Sequence, residues 1–428
     1  MDFDDTPREA EFRDEVRSWL EANASPRGIQ DTPSALLTSS SIDDLPEARR
    51  IQGALHKALL TGITWPIAAG GRGGSLMDRL IFQQEAAGYY LPVEIFAVGI
   101  GLAGPTIIAH GTPEQQKRFL PPMLEGVEVW CQLFSEPSAG SDLAGMRTRA
   151  ARDGDEWVVS GQKVWNSGAH YSDWGILPVR TDSSLPKHRG ISYFVVDMKS
   201  PGITVRPLRQ NSGHSHFCEV FLDEVRIPAG QMLGDLNSGW GVTQTTLMSE
   251  RVMIGTDAGD QAPLLALARS SVRNGKPATQ DPAIRQRLAD IHIRSELMRF
   301  LQYRTLTALG SGAPPGPEGS IGKLIVGQLL RVVGDLALEL QGPDGMLQDA
   351  SARSDGAWQE AFLTAPMLRI AGGTDEIQRN ILGERVLGLP REPDPWRTRA
   401  FADMLAGTET VAGSVAAAGS SVQAGRSQ

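Results

Sequence analysis

The sequence predicts an α+β protein in three parts: an N-terminal helical domain, a middle β domain of barrel or sandwich type, and a C-terminal four-helix bundle. Three observations predict it. Residues 1–128 carry repeated helix starts and apolar residues at helical spacing. At Val129 the pattern changes to runs rich in Val, Ile, Phe and Trp, bounded by Gly, Pro and Asp, and keeps that character to residue 235. From 236 to 397 long helical patterns return, enough for a bundle.

The first helix opens at Thr6-Pro7-Arg8-Glu9. Thr6 can cap, Pro7 suits the first turn and Glu9 completes a capping box. Phe12, Val16, Trp19 and Leu20 then share one face. Residues 26–46, rich in Ser, Thr and Pro, read as a loop, and a helix follows from Pro46 to Leu60. WPIAAGGRGGS (65–75) lacks the Gly-Lys-Ser/Thr ending of a phosphate loop and reads as a connector. Helical patterns cover 76–90 and 92–110, and Thr112-Pro113-Glu114-Gln115 repeats the capped start.

In the middle part, WVVSGQKVWNSG (157–168), ISYFVVDM (191–198) and HFCEVFLDEVRI (216–227) read as strands. Beyond it a helical pattern runs from Gly239 to Val272, with Pro263 predicting a kink or break. Asp281-Pro282 starts a helix that ends at Gly310, and GSGAPPGPEG (310–319) is a flexible connector. Helices at 320–341 and 356–370 follow, and Thr374 caps a last one closed by Gly388 and Pro390. From Thr398 the chain has little to bury and reads as a disordered tail.

The bulk numbers exclude several functions. A chain of 428 residues with 41% hydrophobic and 21% charged residues is of globular composition. A net charge of -9 with no basic segment speaks against nucleic-acid binding. No apolar run reads as a membrane span, and the acidic start MDFDDTPREAEF is no signal peptide. Cys131 and Cys218 fit a reducing, cytoplasmic setting as buried thiols, with a disulfide between them left open. His214 and His216, two apart in NSGHSHF, have no third ligand nearby and read as loop or edge-strand residues.

QLFSEPSAGSD (132–142) joins an apolar strand to a turn of small residues. Gly140 permits close backbone approach there, and successive N–H groups and hydroxyls can form a nest for an anion or a polar ring edge. Taken alone, such a turn is most often only a turn. It gains weight from three other runs: GQKVWNSG (161–168), DEVRIPAGQMLGDLNSGW (223–240) and GGTDEIQRNILGERVLGLP (372–390). In this order and spacing, between residues 3 and 393, the chain resembles the acyl-CoA dehydrogenase family.

That resemblance implies FAD-dependent α,β-dehydrogenation of an acyl-CoA thioester, with an electron-transfer flavoprotein as acceptor. By position in the family's motifs, Gln132, Phe134 and Ser135 line the flavin ring, Ser135 keeping the hydroxyl of the more usual Thr. Ser141 faces the pyrophosphate. Trp165 packs on the isoalloxazine and Ser167 lies near flavin N5, although Trp165 read without the family is more readily a half-buried strand aromatic. Thr374 and Glu376 match positions at the adenosine end, a role compatible with helix capping by Thr374. Many members carry the base, a Glu, directly before the Gly-Thr of the last motif, where this chain has Gly372. Isovaleryl- and long-chain-type members place it on a bundle helix before an Arg, and Ser249-Glu250-Arg251 stands there. Glu250 is therefore the expected base, with Arg251 supporting the active site or the substrate; read in isolation the two are solvent-facing neighbours that need not pair with each other.

Two runs depart from the family. SSVRNGKPATQDP (270–282 region) lacks the Arg-x-x-Phe-Gly run with which a neighbouring subunit contacts FAD, and ELQGPDG (339–345) replaces Gln-x-x-Gly-Gly-x-Gly, with Pro343 unable to donate. The expected assembly is a homotetramer or an α2β2 heterotetramer with a related subunit. The alternatives are a non-catalytic or half-site subunit of such an assembly, and a flavin oxidase or monooxygenase on the same scaffold.

Overall fold

The computed structural model describes residues 4–26, 42–254, 261–310, 316–317, 319–394 and 396–406. Most of the predicted 26–46 loop, part of the 310–319 connector and the tail beyond 406 lie outside the described residues.

The N-terminal part is built from α1 (Pro7–Asn23), α2 (Leu45–Lys57), α3 (Leu76–Ala86), α4 (Gly104–His110) and α5 (Pro113–Leu124). Thr6 and Thr112 both form full capping boxes, with Glu9 and Gln115 as their partners. Each box satisfies two otherwise orphan N–H groups and fixes where the helix begins. Phe12, Val16 and Leu20 of α1 pack with Ile51, Leu55 and Ile81 of α2 and α3. A short pair, β1 (Ser25–Pro26) with β2 (Tyr89–Tyr90), ends the predicted 76–90 helix early.

The stretch Val93–His110 corrects the expectation of no span-like run: its 18 residues have a mean hydropathy of 1.6, enough by length and composition to cross a membrane. It is not one regular helix here. A 3-10 turn (Val93–Phe96) and a π turn (Gly99–Ala103) precede α4. Its apolarity serves the core, with Phe96, Leu102 and Ile107 at most 2% exposed.

The middle part is one eight-stranded sheet. Its strands are β3 (Trp130–Gln132), β4 (Arg149–Asp153), β5 (Glu156–Ser167), β6 (Trp174–Arg180), β7 (Ile191–Asp197), β8 (Ile203–Pro207), β9 (Phe217–Pro228) and β10 (Met232–Leu233). They run in the order β10-β7-β6-β4-β5-β9-β8, with β3 parallel to β6. Strands β6 and β7 are buried on both faces, which explains their unbroken apolar sequences. Leu177, Val179, Phe194 and Val196 enter the sheet's own core. Ile176, Tyr193 and Val195 pack against Leu102, Ile107 and Phe119 of the N-terminal part. The middle and N-terminal parts thus share a core, and α6 joins it through Val242.

The C-terminal part comprises α6 (Gly239–Ile254), α7 (Ala262–Ser270), α8 (Pro282–Gly310), α9 (Gly319–Gln341), α10 (Ala357–Thr364) and α11 (Asp375–Arg385). A small pair, β11 (Val272–Arg273) with β12 (Lys276–Pro277), links α7 to α8. Pro263 does not kink a continuous helix: it lies in the first turn of α7, where a missing N–H costs nothing.

The expectation of a tail without structure from Thr398 fails for residues 398–406. Phe401 is 1% exposed, its ring lies 3.9 Å from the Arg180 guanidinium, and its N–H donates to the Leu185 carbonyl at 2.9 Å. One large aromatic supplied the burial that the surrounding Ala-Gly-Ser composition concealed.

Candidate active site

Two of the sequence motifs meet in the sheet. The turn after β3 lies against the end of β5, where the β5–β9 register breaks between Lys163 and Asn166. Val164 N–H donates to the Ser135 carbonyl at 2.8 Å, and Asn166 Nδ2 donates to the Gln132 carbonyl at 2.8 Å. Between these bonds lies a buried ion pair that sequence reasoning missed. Lys163 Nζ donates to Glu136 Oε1 at 2.9 Å and to the carbonyls of Phe134 and Pro178, each at 3.0 Å. Glu136 also accepts from the Arg147 and Thr148 N–H groups at 2.6 and 3.0 Å. Burial would raise the Glu136 carboxyl, but the Lys163 charge and these donors hold it below its ordinary value. The available signal was the phase of the strand: Trp157, Val159 and Lys163 all point inward, so Lys163 had to find a buried anion.

The bulge leaves Trp165 of β5 out of the pairing with β9. Its backbone is left-handed (φ 64°) and its side chain is 60% exposed, touching Phe217 edge-on at 6.1 Å. A large aromatic in a disfavoured backbone region, held away from the core, is arranged to cover something else. The half-buried alternative does not hold. Among the described residues, the hydroxyls of Ser135, Ser141 and Ser167 have no hydrogen-bond partner, and a Cβ built on Gly140 would meet nothing within 4 Å. This lined, underused surface fits a large planar cofactor with a polar edge and a phosphate tail. Phe134 is more enclosed: it is 5% exposed and meets Tyr193 edge-on at 6.0 Å.

Gln132 connects this surface to the helical part. Its Nε2 donates to Glu250 Oε2 at 3.3 Å. Glu250 lies near the end of α6, and the Gly372 amide faces the same carboxylate. Burial raises the Glu250 carboxyl above its ordinary value, opposed by the Gln132 bond, then Arg251, the Gly372 amide and Lys323. Gly372, at the position where other members carry the base, thus contributes its backbone to Glu250. It has φ 67°, and its carbonyl is held by Gln378 Nε2 at 2.7 Å. Arg251 does not clamp Glu250. Its Nε donates to the Leu247 carbonyl at 3.2 Å, and burial and Arg385 lower its pKa.

Thr374 caps α11, accepting from Ile377 N–H at 3.2 Å. Glu376 is exposed and 3.5 Å from Arg379. Behind them Asp375 is buried, paired with Arg369 at 2.7 Å and 3.8 Å from the buried Lys323. Among the described residues no group of His, Cys, Asp and Glu could hold a metal ion.

A buried carboxylate thus stands where the sheet meets the helical bundle, bonded to Gln132 of the motif that also lies against the Trp165 bulge. The chain belongs to the acyl-CoA dehydrogenase family of oxidoreductases. Family models for the N-terminal, middle and C-terminal domains match residues 6–127, 131–225 and 237–387. It is 38% identical over 402 residues to the acyl-CoA dehydrogenase IpdE1 of Mycolicibacterium smegmatis, covering 89% of this chain and 98% of that one. Among solved structures, the ChsE4-ChsE5 complex from Mycobacterium tuberculosis is 29% identical, with a TM-score of 0.76 and coverage of 92% of this chain and 100% of that one. A structure described as the Tcur3481-Tcur3483 steroid ACAD is 27% identical, with a TM-score of 0.78 over the same shares.

Proposed function

We propose that the chain desaturates an acyl-CoA thioester between its α- and β-carbons, with Glu250 as the base. The observation that carries this is the Glu250 carboxylate, enclosed, bonded to Gln132 and faced by the Gly372 amide. A proton next to a thioester carbonyl is a weak acid, so its acceptor needs a raised pKa and a fixed position. Burial supplies the first, and the Gln132 and Gly372 contacts supply the second. The α-proton passes to Glu250 as the β-hydrogen leaves with its electron pair. FAD, when bound, accepts that hydride. Gln132, Phe134, Ser135, Ser141, Trp165 and Ser167 would hold its ring and pyrophosphate, with Thr374 and Glu376 toward the adenosine end. An electron-transfer flavoprotein would reoxidise it.

Assembly with a related, different subunit is the second part of the reading. Of Arg273 and Lys276, the two cations in the run that replaces the family's inter-subunit FAD contact, Arg273 is tied to Asp281 at 3.1 Å and Glu339 at 2.5 Å, and Arg287 also binds Glu339. The other matching run forms a 3-10 turn with Pro343 in it. On α8, Ile293, Leu297 and Phe300 form an exposed apolar stripe suited to a neighbouring subunit. The relative solved as a two-protein complex is consistent with this.

The test is anaerobic titration of the flavin-loaded protein with a panel of acyl-CoAs, alone and with a co-expressed subunit. Bleaching of the flavin band supports the dehydrogenase. Flavin that no acyl-CoA bleaches in either preparation contradicts it, and oxygen consumption by the reduced protein would favour an oxidase.

A further inference from the structure

A cavity of about 560 Å³ lies between the N-terminal helices and α6. Its walls are mostly apolar, including Leu55, Leu60, Trp65 and Phe82, and one face of α6 enters it through Thr245, Met248 and Ser249. Glu250 is the next residue along that helix and is not itself in the lining, so the cavity is placed by Ser249, one residue before the proposed base. Its volume suits a bulky acyl group.

One charged side chain in this lining has no counterpart. Arg79, on the same face of α3 as Phe82 and Gln83, lines the cavity. Among the described residues its guanidinium has no hydrogen bond or ion pair. The adjacent Asp78 is fully committed: Arg8 holds both its oxygens, at 3.0 and 2.7 Å, and its Oδ2 also accepts the Ser75 N–H at 2.7 Å. Burial alone lowers the Arg79 pKa, with no carboxylate offsetting it. Arg79 is half-buried, its nitrogens are not sealed from the cavity, and the lining that also holds Gln83 and Glu94 gives it no partner, so a ligand entering there can complete the guanidinium. Its planar donors match an sp² oxygen, above all a carboxylate taken by two N–H groups at once.

We propose that Arg79 is a specificity-determining residue that binds an oxygen acceptor, a carboxylate or a ketone, on the acyl group at a distance from the thioester. The substrate class is then oxygenated acyl-CoAs rather than plain fatty acyl-CoAs. This rests on the acyl-CoA reading of the Glu250 site.

The test compares octanoyl-CoA with the same chain ending in a carboxylate and the same chain carrying a ketone one carbon from its end. The flavin-loaded protein, wild type, Arg79→Met and Arg79→Lys, is assayed for flavin reduction, and binding of each thioester is measured by calorimetry. The wild type should prefer at least one oxygenated chain over octanoyl-CoA by about tenfold or more in kcat/KM and in affinity, since a site built to bond an oxygen rejects the analogue lacking it. In Arg79→Met that ratio should collapse to about one, with Tm not lowered because no protein contact of the guanidinium is lost. Arg79→Lys should keep part of the preference for the carboxylate chain, and which chain is favoured separates carboxylate from ketone. No preference in the wild type, a ratio unchanged in Arg79→Met, or a lowered Tm with equal losses on all three chains would overturn the assignment. If no thioester reduces the flavin, the dehydrogenase reading fails, while calorimetry still reports on Arg79.

Discussion

On the sheet side of the site, the buried Glu136–Lys163 pair is saturated: three acceptors surround the ammonium, and two N–H groups complete the carboxylate. On the helix side, the buried atoms Lys323 Nζ, Asp375 Oδ1 and Gln378 Oε1 make no hydrogen bond. The first arrangement fixes the 132–136 turn to β5 before any cofactor arrives. The second leaves a looser arrangement near Glu250: Lys323 and Asp375 attract each other across 3.8 Å without a hydrogen bond, and Gln378 Oε1 has no partner. The 132–136 turn is tied down at Glu136 and Lys163, although Thr148 Oγ1, Asn166 Oδ1 and Arg180 Nε in the same part also make no hydrogen bond, and the wall carrying Glu250 has no equally saturated pair. The two carboxylates follow the same division, with Glu136 held down by its partners and Glu250 pushed up by burial.

The largest way to break the contrast is on the saturated side. Lys163→Met leaves Glu136 buried without its cation and should cost about 3–5 kcal/mol in urea unfolding, with much of the loss recovered by adding Glu136→Gln. Because the Glu136 pKa is depressed, its contribution to stability is present above the ordinary carboxylate range and is lost as pH falls through the depressed value. The wild type should therefore lose this contribution on acidification, and the double variant should show a flatter acid limb.

Gln132→Leu sharpens the comparison from the other side. It removes the donor that opposes the rise of Glu250, so the carboxyl should stay protonated to higher pH. The acid limb of the rate profile should move upward, with a loss of about tenfold on that limb, near 1.4 kcal/mol. Trp165→Ala should have the smallest effect on the fold. The side chain is exposed on a left-handed residue, so unfolding free energy should change by no more than about 0.5 kcal/mol. Flavin retention on dilution should nevertheless fall clearly, because the ring has lost its platform.

Much of the architecture was legible because local signals were strong. Thr6 and Thr112 announced their helices by complete capping boxes, and the change of pattern at Val129 marked the sheet. What escaped depended on long-range partners. Lys163 looks like a surface residue until β5 is given its phase and Glu136 its position. Phe401 was hidden in a composition that otherwise reads as disordered. The site was legible through motif order: Gln132 and Glu250, 118 positions apart, do meet. Arg251, expected to support the active site or the substrate, bonds the Leu247 carbonyl through Nε, in keeping with neighbouring helical residues facing different directions. Arg79 carried no sequence signal, since its isolation is a property of the cavity.

The central claim is that Glu250 takes the proton, and a single-turnover experiment tests it most directly. Flavin-loaded wild type and Glu250→Gln are mixed anaerobically with a thioester that reduces the wild type, and the rate of bleaching is followed beside flavin content, thioester binding and Tm. The account predicts a rate lower by about 10²–10⁴-fold in Glu250→Gln, with flavin and thioester still bound. It also predicts a higher Tm at neutral pH. The folded carboxyl has a raised pKa, so its ionisation costs stability as pH rises above the ordinary value, and the amide removes that cost. Equal bleaching rates in the two proteins would contradict the assignment of Glu250 as the base.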